Sequence, residues 1–197
     1  MKPTLALFDF DGTVTHKDTL LEFIQHSRGS FAFVAGCLLL SPALVGMKLK
    51  LLPNSKVKEW MLRVFFSGKT VESFNLACAD FARRKLPGLI RAKALREILT
   101  HKKNGHRVVI VTASAENWIS EWAGEHQVEL IATKLETANG RITGNICGRN
   151  CNGKEKVDRI REQINLTDYR YIYAYGDSPG DMEMLNIATH SYYKPFR

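Results

Sequence analysis

Four uncharged residues, Leu5-Ala6-Leu7-Phe8, run straight into Asp9-Phe10-Asp11-Gly12. Such a run reads as a strand buried on both faces, as parallel strands are. Ligands of open α/β sheets sit just beyond the carboxyl ends of these strands. Asp9 and Asp11 therefore converge on a small site at the sheet edge. Two carboxylates that close raise each other's proton affinity, and a hard cation such as Mg²⁺ relieves the repulsion. Gly12 lets the backbone turn there without a Cβ penalty.

Two further apolar runs end in the same way. Residues 107–112 close on Thr112, whose hydroxyl is placed to donate to a phosphoryl oxygen. Ser114, just beyond, reads as the cap of a helix through Glu116, Trp118, Ile119 and Trp122. Residues 171–176 lead into Gly176-Asp177-Ser178-Pro179-Gly180-Asp181. Here Ser178 suits an N-cap, Pro179 the first helical position, and Asp181 the third. Capping accounts for Asp181 but not for Asp177, which precedes the cap and reads as a metal ligand. Asp181 can cap and hold a metal-bound water at once.

Helical patterns at 89–102, 154–164 and 178–188 alternate with these strands, with short strands at 128–133 and 191–193. Asn139-Gly140 is a type I′ hairpin signal joining 134–137 to 141–146. Alternation of this kind predicts an α/β fold with a doubly wound parallel sheet. The helix at 154–164 opens with Lys154 and Lys156. Lysine at a helix N-terminus opposes the dipole, so one of the two is a candidate to neutralise Asp9 and bind a phosphoryl group.

These residues carry a family resemblance. Asp9-Phe10-Asp11-Gly12-Thr13-Val14, Thr112, the lysine before Val157 and GDSPGD at 176–181 resemble, in order, the four motifs of the haloacid dehalogenase-like hydrolases. The resemblance implies a Mg²⁺-dependent phosphomonoesterase: Asp9 as nucleophile, Asp11 as general acid and base, Thr112 and Lys156 on the phosphoryl group. Asp9, Asp177 and the backbone carbonyl of Asp11 would hold the metal, with Asp181 behind them. It also chooses Lys156 over Lys154, which is left as a solvated lysine or a second phosphate contact. The chain looks closest to the phosphoserine-phosphatase-like branch, in which a helical cap follows the first motif. Arg63 then occupies a place comparable to a substrate-contacting cap arginine of that branch. Asp18 stands where those enzymes have a glutamate for the substrate amino group, which weakens a phosphoserine assignment. Cys151-Asn152-Gly153-Lys154-Glu155-Lys156-Val157 and an apolar cap segment look similar to bacterial phosphatidylglycerophosphate phosphatases of this fold. A phospholipid headgroup and a small soluble phosphate are thus both candidate substrates. A phosphotransferase or a non-catalytic metal-binding relative is the reading from another class.

The expected division is a core of 1–14 and 87–197 with an all-helical insertion at 15–86, bounded by the breaker Leu86-Pro87-Gly88. Inside the insertion, 55–66 and 71–85 have helical spacing. Residues 31–47 are uncharged and strongly apolar, with Ser41-Pro42 in the middle and Lys48 and Lys50 after them. Three readings compete for this segment: a buried helix pair, a hairpin dipping into one leaflet with its lysines at the headgroups, or a bilayer span.

A net charge of +8 suits a phosphorylated ligand or an anionic membrane surface. No basic stretch is interleaved with aromatics, so nucleic acid is not an expected partner. Cys37, Cys78, Cys147 and Cys151 lack zinc spacing and read as reduced thiols. The N-terminus runs directly into the first strand, so the expectation is a cytoplasmic protein, membrane-associated if the apolar segment touches lipid.

Overall fold

The computed structural model describes residues 2–197. Its first strand, β1 (Thr4–Phe8), has Leu5 to Phe8 wholly buried, as a central parallel strand requires. Five helices follow: α1 (Thr19–Arg28), α2 (Ser30–Leu39), α3 (Ser41–Lys48), α4 (Asn54–Phe66) and α5 (Val71–Arg84). The chain continues through α6 (Ala92–Lys103), β2 (Arg107–Ala115), α7 (Ser120–Glu125), β3 (Glu129–Ala138) and β4 (Arg141–Cys147). It ends with α8 (Lys154–Gln163), β5 (Tyr171–Gly176), α9 (Met182–Asn186) and β6 (His190–Tyr193).

The six strands form one sheet in the order β4-β3-β2-β1-β5-β6. All neighbours are parallel except β3 and β4. Side chains alternate across it. Leu5, Leu7, Val109 and Val111 pack with Ile160 of α8 and Leu185 of α9. Ala6, Phe8, Val108 and Ile110 face the other way, into the cluster that includes Ile98 of α6. Helices therefore cover both faces, as the doubly wound reading expects.

The segment between β1 and α6 is stitched to the core where it leaves and where it returns. Thr15 pairs antiparallel with Ile90, His16 N donates to Leu89 O at 3.0 Å, and Arg91 N donates to Val14 O at 2.8 Å. That pairing takes Ile90 and Arg91, so α6 begins at Ala92 rather than at 89. Leu86-Pro87-Gly88 is a short 3₁₀ turn rather than a plain break. Phe23 of α1 is the aromatic hub of the insertion, with ring centroids of Phe66, Phe74 and Phe81 at 5.1, 5.6 and 5.5 Å. It also stacks on Trp118 of the core at 5.2 Å, so one apolar cluster runs through both.

Three local expectations change. The two strands expected at 128–133 and 134–137 are one strand, β3 (Glu129–Ala138), whose first half pairs with β2 and second half with β4. Asn139 and Gly140 both have positive φ, 50° and 70°, as the I′ turn demands. Strand β2 runs on to Ala115 through a bulge after Thr112, so Ser114 lies in the strand and caps nothing. The helix expected at 178–188 is a 3₁₀ turn at Pro179–Asp181 followed by α9.

The reading of 31–47 as a buried helix pair is overturned. The segment forms α2 and α3, bent by 67° at Leu40, with Ser41-Pro42 opening α3. Their only buried residues are Gly36 and Ala43. Phe31 is 88% exposed, and Leu38 and Leu39 about as much as a residue on the open surface, at 69% and 70%. Among the described residues no single helix is long and apolar enough to cross a membrane. All four cysteines are free, with Cys78 and Cys151 buried.

Candidate active site

Asp9 stands at the carboxyl end of β1, held by its own N–H to Tyr175 O at 2.9 Å. Its carboxylate is buried. Lys156 Nζ donates to Asp9 Oδ1 at 2.6 Å, and Thr13 Oγ1 donates to Asp9 Oδ2 at 2.9 Å. Lys156, in the first turn of α8 and 1% exposed, also donates to Asp181 Oδ1 and to Val111 O, both at 2.7 Å. Lys154, by contrast, faces solvent. The structure thus brings to Asp9 the lysine that the resemblance chose.

Asp181 is committed on both sides. Its Oδ2 accepts from Ser178 N at 2.9 Å, Ser178 Oγ at 2.8 Å and Asp177 N at 3.1 Å. It caps the turn while it anchors Lys156. Asp177 lies across from Asp9, its Oδ1 accepting from the shared Thr13 hydroxyl at 3.3 Å and its Oδ2 from the Arg197 guanidinium. Gly12 makes room for this approach. Its φ is 83°, and a Cβ there would stand 2.6 Å from Asp177 Oδ2.

Oxygens of Asp9, Asp177 and Asp181 all lie within 4.8 Å of one another. Burial pushes the Asp9 carboxyl up to about 7, against the pull of Lys156 and with added repulsion from Asp181. Asp9 and Asp181 together hold Lys156 above the ordinary lysine range despite its burial. An all-oxygen donor set whose central acid resists ionisation fits a hard divalent cation such as Mg²⁺.

Asp11 points elsewhere. Thr19 N donates to its Oδ1 at 2.7 Å and Ser114 Oγ to its Oδ2 at 2.5 Å. Thr19 Oγ1 is in turn 3.0 Å from Ser114 Oγ and accepts from Trp118 Nε1 at 3.0 Å. The Asp11 carboxylate is therefore fixed above the acid cluster, outside the metal-type group. These contacts come from the start of α1 and the end of β2, one from each side of the cavity.

A cavity of about 280 Å³ opens over these groups. Its floor carries Asp9, Asp11, Ser114, Asn150 and Asp181. Its apolar walls come from α1, α3 and α4: Leu20, Leu44, Met47, Val57 and Met61. Two expected contacts fall outside it. Thr112 is buried, its Oγ1 accepting from Ser114 N at 3.0 Å, and Ser114 rather than Thr112 lines the cavity because the bulge carries the strand two residues further. Arg63 turns away altogether. Its Nε donates to Asn145 Oδ1 of β4 at 2.9 Å, and its backbone packs on Gly144, where a Cβ would stand 2.6 Å from Arg63 Cα.

The cation that α4 does present to the cavity is Lys58, which was not singled out from the sequence. It is 9% exposed, donates to Ala113 O and, at 3.3 Å, to Asn150 Oδ1. Burial lowers its ammonium to about 8, although Asp11 and Asp18 oppose the shift. Asp18 also lines the cavity, its carboxyl raised to about 6 by burial and by Asp11. The signal for Lys58 was present: it shares the buried face of α4 with Val57, Met61, Leu62 and Phe65. A lysine at such a spacing needs a reason.

Fold and site together define an α/β enzyme with a buried aspartate at the end of the central strand. The family model of the haloacid dehalogenase-like hydrolases matches residues 6–186, and the chain belongs to that family. Among curated relatives, Protein CicA of Caulobacter vibrioides is 38% identical over 198 residues, covering 100% of this chain and 88% of CicA. A Bordetella pertussis protein of unknown function superposes with a TM-score of 0.85 at 23% identity, over 97% of this chain and 89% of that one. A phosphoserine phosphatase carrying an analogue of its phospho-aspartyl intermediate superposes with a TM-score of 0.62 at 21% identity, over 97% of this chain and 86% of that one. The two structural likenesses establish the fold.

Proposed function

We propose that this chain is a Mg²⁺-dependent phosphomonoesterase acting through an aspartyl-phosphate on Asp9. The observation that carries the reading is the placement of Asp9: a buried carboxylate at a strand end, flanked by Lys156 at 2.6 Å, with Asp11 two residues on and oriented from both sides. An oxygen of Asp9 attacks phosphorus. The bond from phosphorus to the leaving alcohol breaks, and Asp11 gives that oxygen its proton. Water then attacks the aspartyl-phosphate, passes a proton back to Asp11, and phosphate leaves as the bond to Asp9 breaks. Covalent catalysis divides one difficult displacement into two.

Lys156 remains cationic throughout and offsets the charge gathered around the phosphoryl oxygens. Asp9, Asp177 and the Asp11 backbone carbonyl are the groups that would hold Mg²⁺, and the ion would supply further neutralisation of the phosphoryl oxygens there. Asp181 acts through Lys156 and the Ser178 turn.

For the substrate, the apolar walls over a polar floor favour an amphiphilic phosphomonoester, such as a phospholipid of the phosphatidylglycerophosphate kind. Lys58 suits a second anionic group on it. A small phosphoserine-like metabolite is the second reading, favoured by Asp18, a carboxylate in the cavity able to receive an amino group. A panel of soluble and lipid phosphomonoesters, assayed with the parent chain and Asp9→Asn, tests both. Turnover of any ester by Asp9→Asn at the parent rate overturns the nucleophile assignment.

A further inference from the structure

Between Glu22 and Glu59 the chain contains not one Asp or Glu. Over the same stretch it carries Arg28, Lys48, Lys50, Lys56 and Lys58. The middle of this stretch is α2 and α3, whose apolar side chains face outward. Phe31, Val34 and Leu38 recur at i, i+3 and i+7 along α2 and are 88%, 53% and 69% exposed. Leu39, Val45, Leu49 and Leu51 continue the patch across the bend and past the end of α3, at 57% to 75%. The inner side is what the fold uses: Gly36 lies flat against the Phe65 ring, and Leu44 and Met47 line the cavity.

A soluble surface rarely exposes so large a contiguous apolar area without a use for it. We propose that α2–α3 is a docking surface for an anionic lipid bilayer, lying in the interface with Phe31, Leu38, Leu39 and Leu49 among the acyl chains and Lys48 and Lys50 at the headgroups. Helices of ten and eight residues bent by 67° suit the interface plane, and neither alone is long enough to span. The charge selects the occupant. A second copy of the chain, docked face to face, would offer Lys48 and Lys50 no carboxylate partner, since residues 23–58 contain none. A negatively charged membrane surface meets the same lysines with attraction. Leu44 and Met47 belong to the same helix that touches lipid, so the cavity wall and the docking face are two sides of one element. The proposal rests on the phosphomonoesterase reading only for which substrates this would bring to the cavity; docking itself is read without turnover.

The test is co-flotation of the full chain with vesicles of phosphatidylcholine mixed with phosphatidylglycerol, and with phosphatidylcholine alone. The mixed vesicles carry the protein up and the neutral ones carry much less. Lys48→Gln combined with Lys50→Gln weakens binding about thirtyfold, the equivalent of roughly 1 kcal/mol for each surface lysine. Leu38→Glu combined with Leu39→Glu abolishes flotation, while circular dichroism and turnover of p-nitrophenyl phosphate show that the exposed substitutions leave the fold and the site intact. Failure to float with either vesicle overturns the proposal, as does flotation that survives Leu38→Glu and Leu39→Glu. A dimer seen by light scattering and lost in that variant also overturns it, by assigning the patch to a second copy. Absence of phosphatase activity in a chain that floats removes the proposed function and leaves the docking standing.

Discussion

Lys156 Nζ lies 2.6 Å from Asp9 Oδ1 inside a site where neither side chain is more than a tenth exposed. Its other carboxylate partner, Asp181, is 1% exposed. Removing one charge from such a buried set strands the others. Lys156→Met therefore lowers stability by about 3–5 kcal/mol, read by urea unfolding. Turnover is lost with it. Lys156→Arg does not restore activity, because a planar fork cannot replace a point charge that meets two carboxylates and the Val111 carbonyl. An unchanged unfolding midpoint in Lys156→Met would contradict this arrangement.

Asp9→Asn keeps the shape of the side chain and removes the proposed nucleophile. Turnover of p-nitrophenyl phosphate falls by at least about a thousandfold, while thermal unfolding stays cooperative. Asp11→Asn acts at a different point. Without a base for the attacking water, the phosphorylated chain accumulates, and intact-protein mass spectrometry detects one added phosphoryl group.

Metal binding and pH are linked through Asp9. Its carboxyl, at about 7 in the folded protein, lies above the ordinary value of 3.8. The metal-free folded state thus binds this proton more tightly than the unfolded chain does. That contribution to stability is present below about pH 4 and is lost as pH rises to about 7. In the proposed site Mg²⁺ would compete with the proton for the same oxygens. It therefore raises the melting temperature more at about pH 7.5 than at about pH 5, and EDTA reverses the gain. Equal gains at both pH values would separate the metal from Asp9.

Lys58 gives a second pH signature. Its ammonium, lowered to about 8 by burial, is charged below that pH and neutral above it. For an anionic substrate, KM rises above about pH 8 while kcat changes little. Lys58→Met shows the high-pH KM at every pH, with a loss in kcat/KM of about tenfold, the worth of roughly 1.4 kcal/mol. A kcat effect without a KM effect would assign Lys58 to the chemical step.

Gly144 carries a steric prediction. It combines a φ of 87° with backbone contact to Arg63. Gly144→Ala must strain the turn and push α4 away from β4, at about 1–3 kcal/mol, measured as a lower melting temperature. Because Lys58 rides on α4, KM for the anionic substrate rises as well.

Asp9 and Asp177 were legible in the sequence because each follows an apolar run, Asp181 because it completes a capping pattern, and Lys156 only through the family resemblance, since the dipole argument left Lys154 open as well. Ser114 was read as a helix cap and instead lies in β2 and lines the cavity, since a bulge shifts register without leaving a mark in composition. Arg63 was read from correspondence alone. Its actual neighbours, Asn145 and Gly144, lie over eighty residues away, and local patterning says nothing about them. Lys58 was overlooked although its helical spacing placed it on a buried face. The position of α2 and α3 could not be decided by hydropathy, because a buried pair and an exposed pair have the same composition. Only the tertiary structure shows which side of each helix finds a neighbour.

The isolated bridge between Thr15 and Ile90 ties both ends of the insertion to each other beside the site. A second seam, where Gly68 N donates to Ile142 O and Val71 N to Gly140 O, both at 2.9 Å, fastens the far side of the insertion to the β3–β4 hairpin. Backbone pairing along that seam holds α4 and α5, and Thr19 holds α1, whereas α2 and α3 bury only Gly36 and Ala43. Leu44 and Met47 of that stretch line the cavity, so in the proposed docking the outer side of α3 rests on lipid while its inner side faces the acids.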